Sequence, residues 1–224
     1  MLILTLIGFH SKLTFVVRNI IFDFGNVLGT CNKHTSCESL AKYSRTKTGA
    51  EIYAMLVESD LERYLESGAI NGQIFAKKVI SIIQAEGLSI KKCLEIWGNV
   101  FKQNSKIVPL LIDLRRRNIG MAVLSNTNEV HRPYILALGS MKLLESWNVP
   151  FILSYKENSL KPETKMYVSV LSALKCAADN AVFIDDVWGN VEAAKRLGMS
   201  GIIYNCEKDS VEYLKNSLSQ LLGL

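Results

Sequence analysis

Hydrophobic and polar positions change their spacing twice along the chain, and each change marks a different kind of structure. Residues 20–24 are β-branched and aromatic apart from Asp23, and read as a buried strand; Gly25 and Asn26 then take the chain out through a tight turn. Through residues 32–106 the apolar positions fall at three- and four-residue steps. Helices are expected over 51–65, 74–85 and 91–101 with no strand among them; Gly68 and Gly72 bracket a turn, and Gly87 stands where a helix C-cap is wanted. From Ile107 onward the two patterns alternate. Ile107, Leu110, Leu111 and Leu114 form a helical stripe, as do Tyr167, Val170, Leu171 and Leu174. Segments 121–125, 151–154, 181–185 and 201–204 read as strands, and 190–197 as a helix stopped by Gly198.

Alternating strands and helices predict an α/β fold, a parallel sheet covered on both faces and joined by right-handed crossovers. The sheet domain is expected to use residues 18–31 and 107–224, with the helical block 32–106 inserted beside its active edge. Residues 1–17 are apolar but interrupted by His10, Ser11 and Lys12, and the run before them is too short to span a bilayer. The leading basic residues and small-residue cleavage site of a secretory signal are missing. An added edge strand or an upstream start is expected here, and no membrane anchor.

Composition narrows the partners more than the fold. The chain has 224 residues, 49% hydrophobic and 21% charged, enough for a substantial core. Its 26 basic and 21 acidic residues give a net charge of +5, a modest bias toward anionic small molecules. The one basic cluster, Arg115-Arg116-Arg117, ends a predicted helix, where cations meet the negative end of the dipole, so nucleic acid is not an expected partner. Five cysteines without C-x-x-C spacing support neither a disulfide framework nor a zinc site and fit a reducing cytoplasm.

Candidate chemistry gathers at the ends of the predicted strands. Asp23 ends the first, Ser125 the second with Asn126 after it, and Asp185 and Asp186 a later one, while Lys161-Pro162 opens the helix that feeds that later strand. Each has an ordinary reading on its own: a turn, a helix cap, a solvated lysine, an exposed acidic pair. Together they put a carboxylate, a hydroxyl, a lysine and an acidic pair along the carboxyl edge of one sheet, where open α/β folds bind ligands.

Phe22-Asp23-Phe24-Gly25-Asn26-Val27-Leu28, Leu124-Ser125-Asn126-Thr127-Asn128, Leu160-Lys161-Pro162 and Phe183-Ile184-Asp185-Asp186 with Asn190 resemble the four ordered motifs of the haloacid dehalogenase superfamily of hydrolases. The stretches 61–68 and 124–131 are similar to its bacterial sugar-phosphate phosphatases of the α-glucose-1-phosphate phosphatase kind. The resemblance runs from about residue 18 to the end and implies a Rossmann-like core with a helical cap. It implies that Asp23 attacks phosphorus and forms an aspartyl-phosphate. Magnesium would be held by Asp23, Asp186 and the carbonyl of Gly25, with Asp185 and Asn190 orienting its waters. Ser125 would bind phosphoryl oxygens, Lys161 would offset their charge and Asn126 would help position a small phosphorylated metabolite.

One position departs from that pattern. Most phosphatases of the superfamily carry a second aspartate two residues after the nucleophile, as general acid and base; Gly25 stands there in this chain. General acid–base catalysis is worth about 10²–10⁴-fold, so a preference for good leaving groups is expected: anomeric, acyl or aryl phosphates. Thr30, Cys31 and His34 follow the turn and are possible substitute donors, although a loop histidine is expected to be simply solvated. His131 is expected to make structural hydrogen bonds and Trp188 to pack as an aromatic. Two other readings are a binding or regulatory protein that has lost the chemistry, and a metal-independent dehalogenase using Asp23 on carbon.

Overall fold

The computed structural model describes residues 17–223; the apolar amino-terminal segment, apart from Val17, lies outside the described residues. The chain begins with β1 (Asn19–Phe22) and a short β2 (Gly29–Cys31). Five helices follow: α1 (Lys33–Ala41), α2 (Gly49–Leu56), α3 (Asp60–Glu66), α4 (Gly72–Ile82) and α5 (Ile90–Gly98). A second short strand, β3 (Phe101–Gln103), returns the chain and pairs antiparallel with β2. The remainder alternates: α6 (Val108–Arg116), β4 (Gly120–Ser125), α7 (Arg132–Leu136), α8 (Gly139–Ser146), β5 (Phe151–Leu153), α9 (Ser154–Glu157), α10 (Thr164–Leu174), β6 (Ala181–Asp185), α11 (Trp188–Arg196), β7 (Ser200–Ile203) and α12 (Val211–Leu222).

The five core strands lie in the order β5-β4-β1-β6-β7, and every pair is parallel. β1 is therefore central, with Phe22 flanked by Val123 and Ile184. Side chains alternate between the two faces of the pleat. Ile20, Phe22, Val123 and Ile184 pack with Leu111 and Leu114 of α6 and Leu214 and Leu218 of α12. Ile21, Leu124 and Phe183 pack on the other side with Met166, Tyr167 and Val170 of α10 and Ala194 of α11. The inserted helices have a core of their own, in which Leu40, Ile52, Leu56, Phe75, Val79 and Trp97 are buried together, and Val130 of the sheet domain reaches into it.

Two hydrogen bonds also fasten the insert to the sheet domain. Glu129 Oε1 accepts from the Gly72 N–H at 2.6 Å, and the Ser154 hydroxyl lies 2.6 Å from the Glu66 carbonyl and 2.8 Å from the Thr127 carbonyl. Gly68 closes this contact: its φ is +74°, and a Cβ there would come within 2.5 Å of the Tyr155 carbonyl. Among the described residues no helix is long and apolar enough to cross a membrane.

The structure corrects three expectations. The helix expected over 51–65 is two helices, because the Ser59 side chain accepts from the Leu61 N–H and starts α3 afresh. The segment 32–106 does contain a strand: α5 stops at Gly98 and Phe101 enters β3, which is too short to show a period of two. The second long helix also ends early; Gln84 takes the left-handed conformation (φ 50°) while Gly87 sits in the following loop.

Candidate active site

The site grows from the end of β1. The Asp23 N–H donates to the Ile184 carbonyl at 2.8 Å, continuing the ladder one residue beyond the strand. The chain then curls around the Phe24 carbonyl, which accepts from the N–H groups of Leu28 and Gly29 at 3.0 Å each. Asn26 sits in the curl at φ 52°, a left-handed position that asparagine tolerates better than most residues. A cavity of about 360 Å³ opens at this point, with Asp23, Gly25, Ser125, Asn126, Lys161 and Asn190 in its wall.

Lys161 links the catalytic candidates. Its ammonium donates to Asp23 Oδ1 at 2.6 Å and to Asp185 Oδ2 at 2.7 Å, with the side chain 2% exposed. The Asn126 amide brackets the Lys161 backbone, accepting from its N–H at 2.8 Å and donating to its carbonyl at 3.1 Å. Burial works against the lysine's charge, but Asp23 and Asp185 prevail and raise its pKa. Burial likewise pushes the Asp23 carboxyl up to about 7, with Lys161 opposing and Asp185 adding to the rise.

The two acidic neighbours are held differently. Asp185 is fully buried and its oxygens are engaged: Oδ1 accepts from the Val187 N–H at 2.8 Å, and the Asn190 amide donates to both at 3.0–3.1 Å. Asn190 is itself fixed by the Tyr167 hydroxyl, which donates to its carbonyl at 2.8 Å. Asp186 is half-buried, and Asn26 and Asn205 donate to one of its oxygens, Oδ2, at 2.9 and 3.3 Å. Asp23, Asp185 and Asp186 each offer an oxygen within 4.8 Å of the others. Three carboxylates against one lysine leave an excess of negative charge, and an all-oxygen donor set suits a hard divalent cation such as magnesium. Asp185 is spent on Lys161 and Asn190, so the freer oxygens are on Asp23 and Asp186, and the set fits the ion.

Ser125 ends β4 beside Asp23. Its hydroxyl makes one long contact, 3.4 Å to the Asn126 carbonyl, which leaves it free to donate into the cavity. At Gly25 a Cβ would meet Asp23 Oδ2 at 3.4 Å and nothing else within 4 Å, so the backbone has room for a side chain the sequence does not supply. Of the substitute donors, Cys31 lines the cavity with its thiol pushed by burial up to about 12, and His34 lines it stacked on Tyr53, ring centroids 3.9 Å apart. Thr30 is half-buried on β2.

His131 is structural in its contacts: Nδ1 lies 3.0 Å from the Asn128 amide, the ring stacks on Trp97, and burial lowers its pKa to about 3. Trp188 does not pack as expected. It opens α11 at 65% exposure, because Asn190 and Val191 turn inward there.

A second charged group in the same cavity went unread in the sequence. Lys33, at the start of α1, lies 2.7 Å from Glu62 Oε1 and 3.8 Å from Glu66 Oε1, both on α3. Lys33 and Glu66 line the cavity and Glu62 stands behind them. Burial raises Glu62 to about 7 and also raises Glu66, whose carboxyl feels Lys33 and Lys161 as opposing charges.

Known proteins frame this geometry. The chain is 20% identical over 191 residues to a D-ribitol-5-phosphate phosphatase of Bacteroides thetaiotaomicron (82% of this chain, 89% of the other). It is 23% identical over 184 residues to the sesquiterpene phosphatase astK of Aspergillus oryzae (81% and 87%). Among solved structures, a haloacid dehalogenase family enzyme from B. thetaiotaomicron in complex with magnesium and inorganic phosphate superposes with a TM-score of 0.73 at 22% identity (88% and 98% covered). An L-2-haloacid dehalogenase of Xanthobacter autotrophicus gives 0.61 at 15% identity (91% and 83%). A family model of haloacid dehalogenase-like hydrolases matches residues 17–198, and the chain belongs to that family.

Proposed function

We propose that this hydrolase is a magnesium-dependent phosphatase of small phosphate monoesters. The observation that carries the reading is Asp23 at the end of the central strand, paired with Lys161 and facing a cavity. Asp23 attacks phosphorus, the bond to the substrate oxygen breaks, and that oxygen leaves with the electron pair and takes up a proton. Water then cleaves the aspartyl-phosphate, returning the carboxylate and releasing inorganic phosphate. The Ser125 hydroxyl donates to a phosphoryl oxygen, and the Lys161 ammonium offsets charge at the reacting centre. Asn126 fixes the Lys161 backbone, while Asp185 and Asn190 hold the lysine head. Asp23, Asp186 and the Gly25 carbonyl would hold magnesium, which supplies Lewis-acid stabilisation of the phosphoryl group when bound.

Magnesium and phosphate in the structural relative, and phosphatases among the sequence relatives, support the reading. The helices between β2 and β3 then serve as a cap over the cavity. Gly25 directs the enzyme toward leaving groups that need little protonation. A dehalogenase acting on carbon needs no metal, and the acidic excess around Asp186 argues against it. The two phosphatase relatives act, by their names, on a polyol phosphate and a terpenoid, so they do not agree on a substrate class.

The test is phosphate release from a panel of hexose 1-phosphates, polyol phosphates and an aryl phosphate, with magnesium or EDTA, beside Asp23→Asn. Magnesium-dependent release that falls by about 10⁴-fold or more in the variant is the expected result. Folded protein that releases nothing would move the reading to a binding protein, and release that survives EDTA would count against the metal.

A further inference from the structure

Lys33 and Glu66 form the feature of the cavity that catalysis leaves unused. Buried charges are retained only with partners, and these two are partly partnered. Glu62 takes the Lys33 ammonium at 2.7 Å from behind, whereas Glu66 stands off at 3.8 Å, beyond hydrogen-bond distance. The Lys33 side chain is 25% exposed and that of Glu66 19%, against 6% for Glu62, and Lys33 and Glu66 both line the cavity. The cavity therefore meets a donor and an acceptor side by side, each with unused capacity.

That pairing selects by chemistry. A hydroxyl both donates and accepts, so a chain of hydroxyls satisfies Lys33 and Glu66 at once. An apolar chain would strip water from both charges and return nothing. A second phosphate would gain Lys33 but face Glu62 and Glu66, and a cationic group would meet the reverse. Resting on the phosphatase reading above, we propose that Lys33 and Glu66 recognise the hydroxyls of the substrate's non-reacting part, making this enzyme selective for phosphorylated polyols or sugars over apolar phosphates with the same kind of leaving group. Glu62 is a positioning residue that holds Lys33 toward the cavity.

The experiment compares kcat/KM for ribitol 5-phosphate, glucitol 6-phosphate and pentyl phosphate, an alkyl ester with a matching leaving group and no hydroxyls, in the native chain, Glu66→Gln and Lys33→Met, with thermal melting as a check on folding. Hydrogen bonds to charged groups predict that the polyol-to-pentyl ratio falls by about 10–100-fold in each variant. Glu66→Gln keeps its shape and leaves the Lys33–Glu62 pair intact, so it decides the matter if Lys33→Met does not fold. An unchanged ratio overturns the proposal while leaving the phosphatase reading in place. A native chain that favours pentyl phosphate overturns it as well. If the native chain hydrolyses none of the three or any other ester, the phosphatase reading falls, and this proposal with it.

Discussion

Two lysines, each set between two carboxylates, contribute to one cavity, one from the sheet and one from the helical insert. Lys161 makes two hydrogen-bonded ion pairs, 2.6 and 2.7 Å, and its side chain is 2% exposed; Lys33 makes one close ion pair, 2.7 Å, and keeps a quarter of its side-chain surface open. The sheet-borne cluster is built on strand ends and on an asparagine that clamps the backbone. The other is carried by the first turn of one helix and the face of another. Rigid scaffolding suits reacting atoms, which need fixed geometry, while the looser cluster suits contacts that must exchange water for ligand.

Removing the lysines should expose that difference most strongly. Lys161→Met leaves Asp23 and Asp185 buried without a cation and should cost about 3–5 kcal/mol in chemical denaturation at neutral pH. It should also lower the rate by about 10²–10³-fold. Lys33→Met abandons a more open site and should cost about 1–3 kcal/mol; equal losses would break the comparison.

A smaller effect is expected at the turn between the clusters. Gly25→Asp has room at Cβ and places a titratable group beside Asp23. Turnover of alkyl phosphates should rise by about 10²-fold while that of an aryl phosphate stays near its starting value. A uniform change across leaving groups would show that proton donation does not limit the native enzyme.

The gentlest probe is pH. Asp23 and Glu62 are raised to about 7 from ordinary values of 3.8 and 4.5. Across that window the folded chain keeps protons the unfolded chain has released, so stability should fall as pH rises from about 4 to 7. Thermal melts in EDTA should show the slope. Magnesium should remove the share belonging to Asp23, and Glu62→Gln the share belonging to Glu62. A flat profile in EDTA would contradict both.

The core was legible because its signals are local. The predicted strand 181–185 coincides with β6, and the apolar run at 20–24 overlaps β1 and ends in the turn it implied. α12 carried no expectation, although Leu214, Leu218 and Leu222 recur at helical spacing. What stayed hidden depends on distant partners. β2 and β3 are three residues each and define one another only across the whole insert. Asn26 and Asn205 meet at Asp186 from opposite ends of the chain, and Lys33 finds Glu62 only once the insert has folded. In one dimension each is an unremarkable polar residue on a turn or helix.

The alternation of β1 has a consequence for which changes the strand can accept. Ile20 and Phe22 face one layer of helices and Ile21 the other, so the direction of Asp23 is fixed by counting, not by which apolar residue fills each place. Exchange among branched residues preserves that count, whereas inserting or deleting a single residue before Asp23 would aim the carboxylate into a helix layer. Substitution among apolar residues should therefore be tolerated in the strand, whereas a change in its length should not.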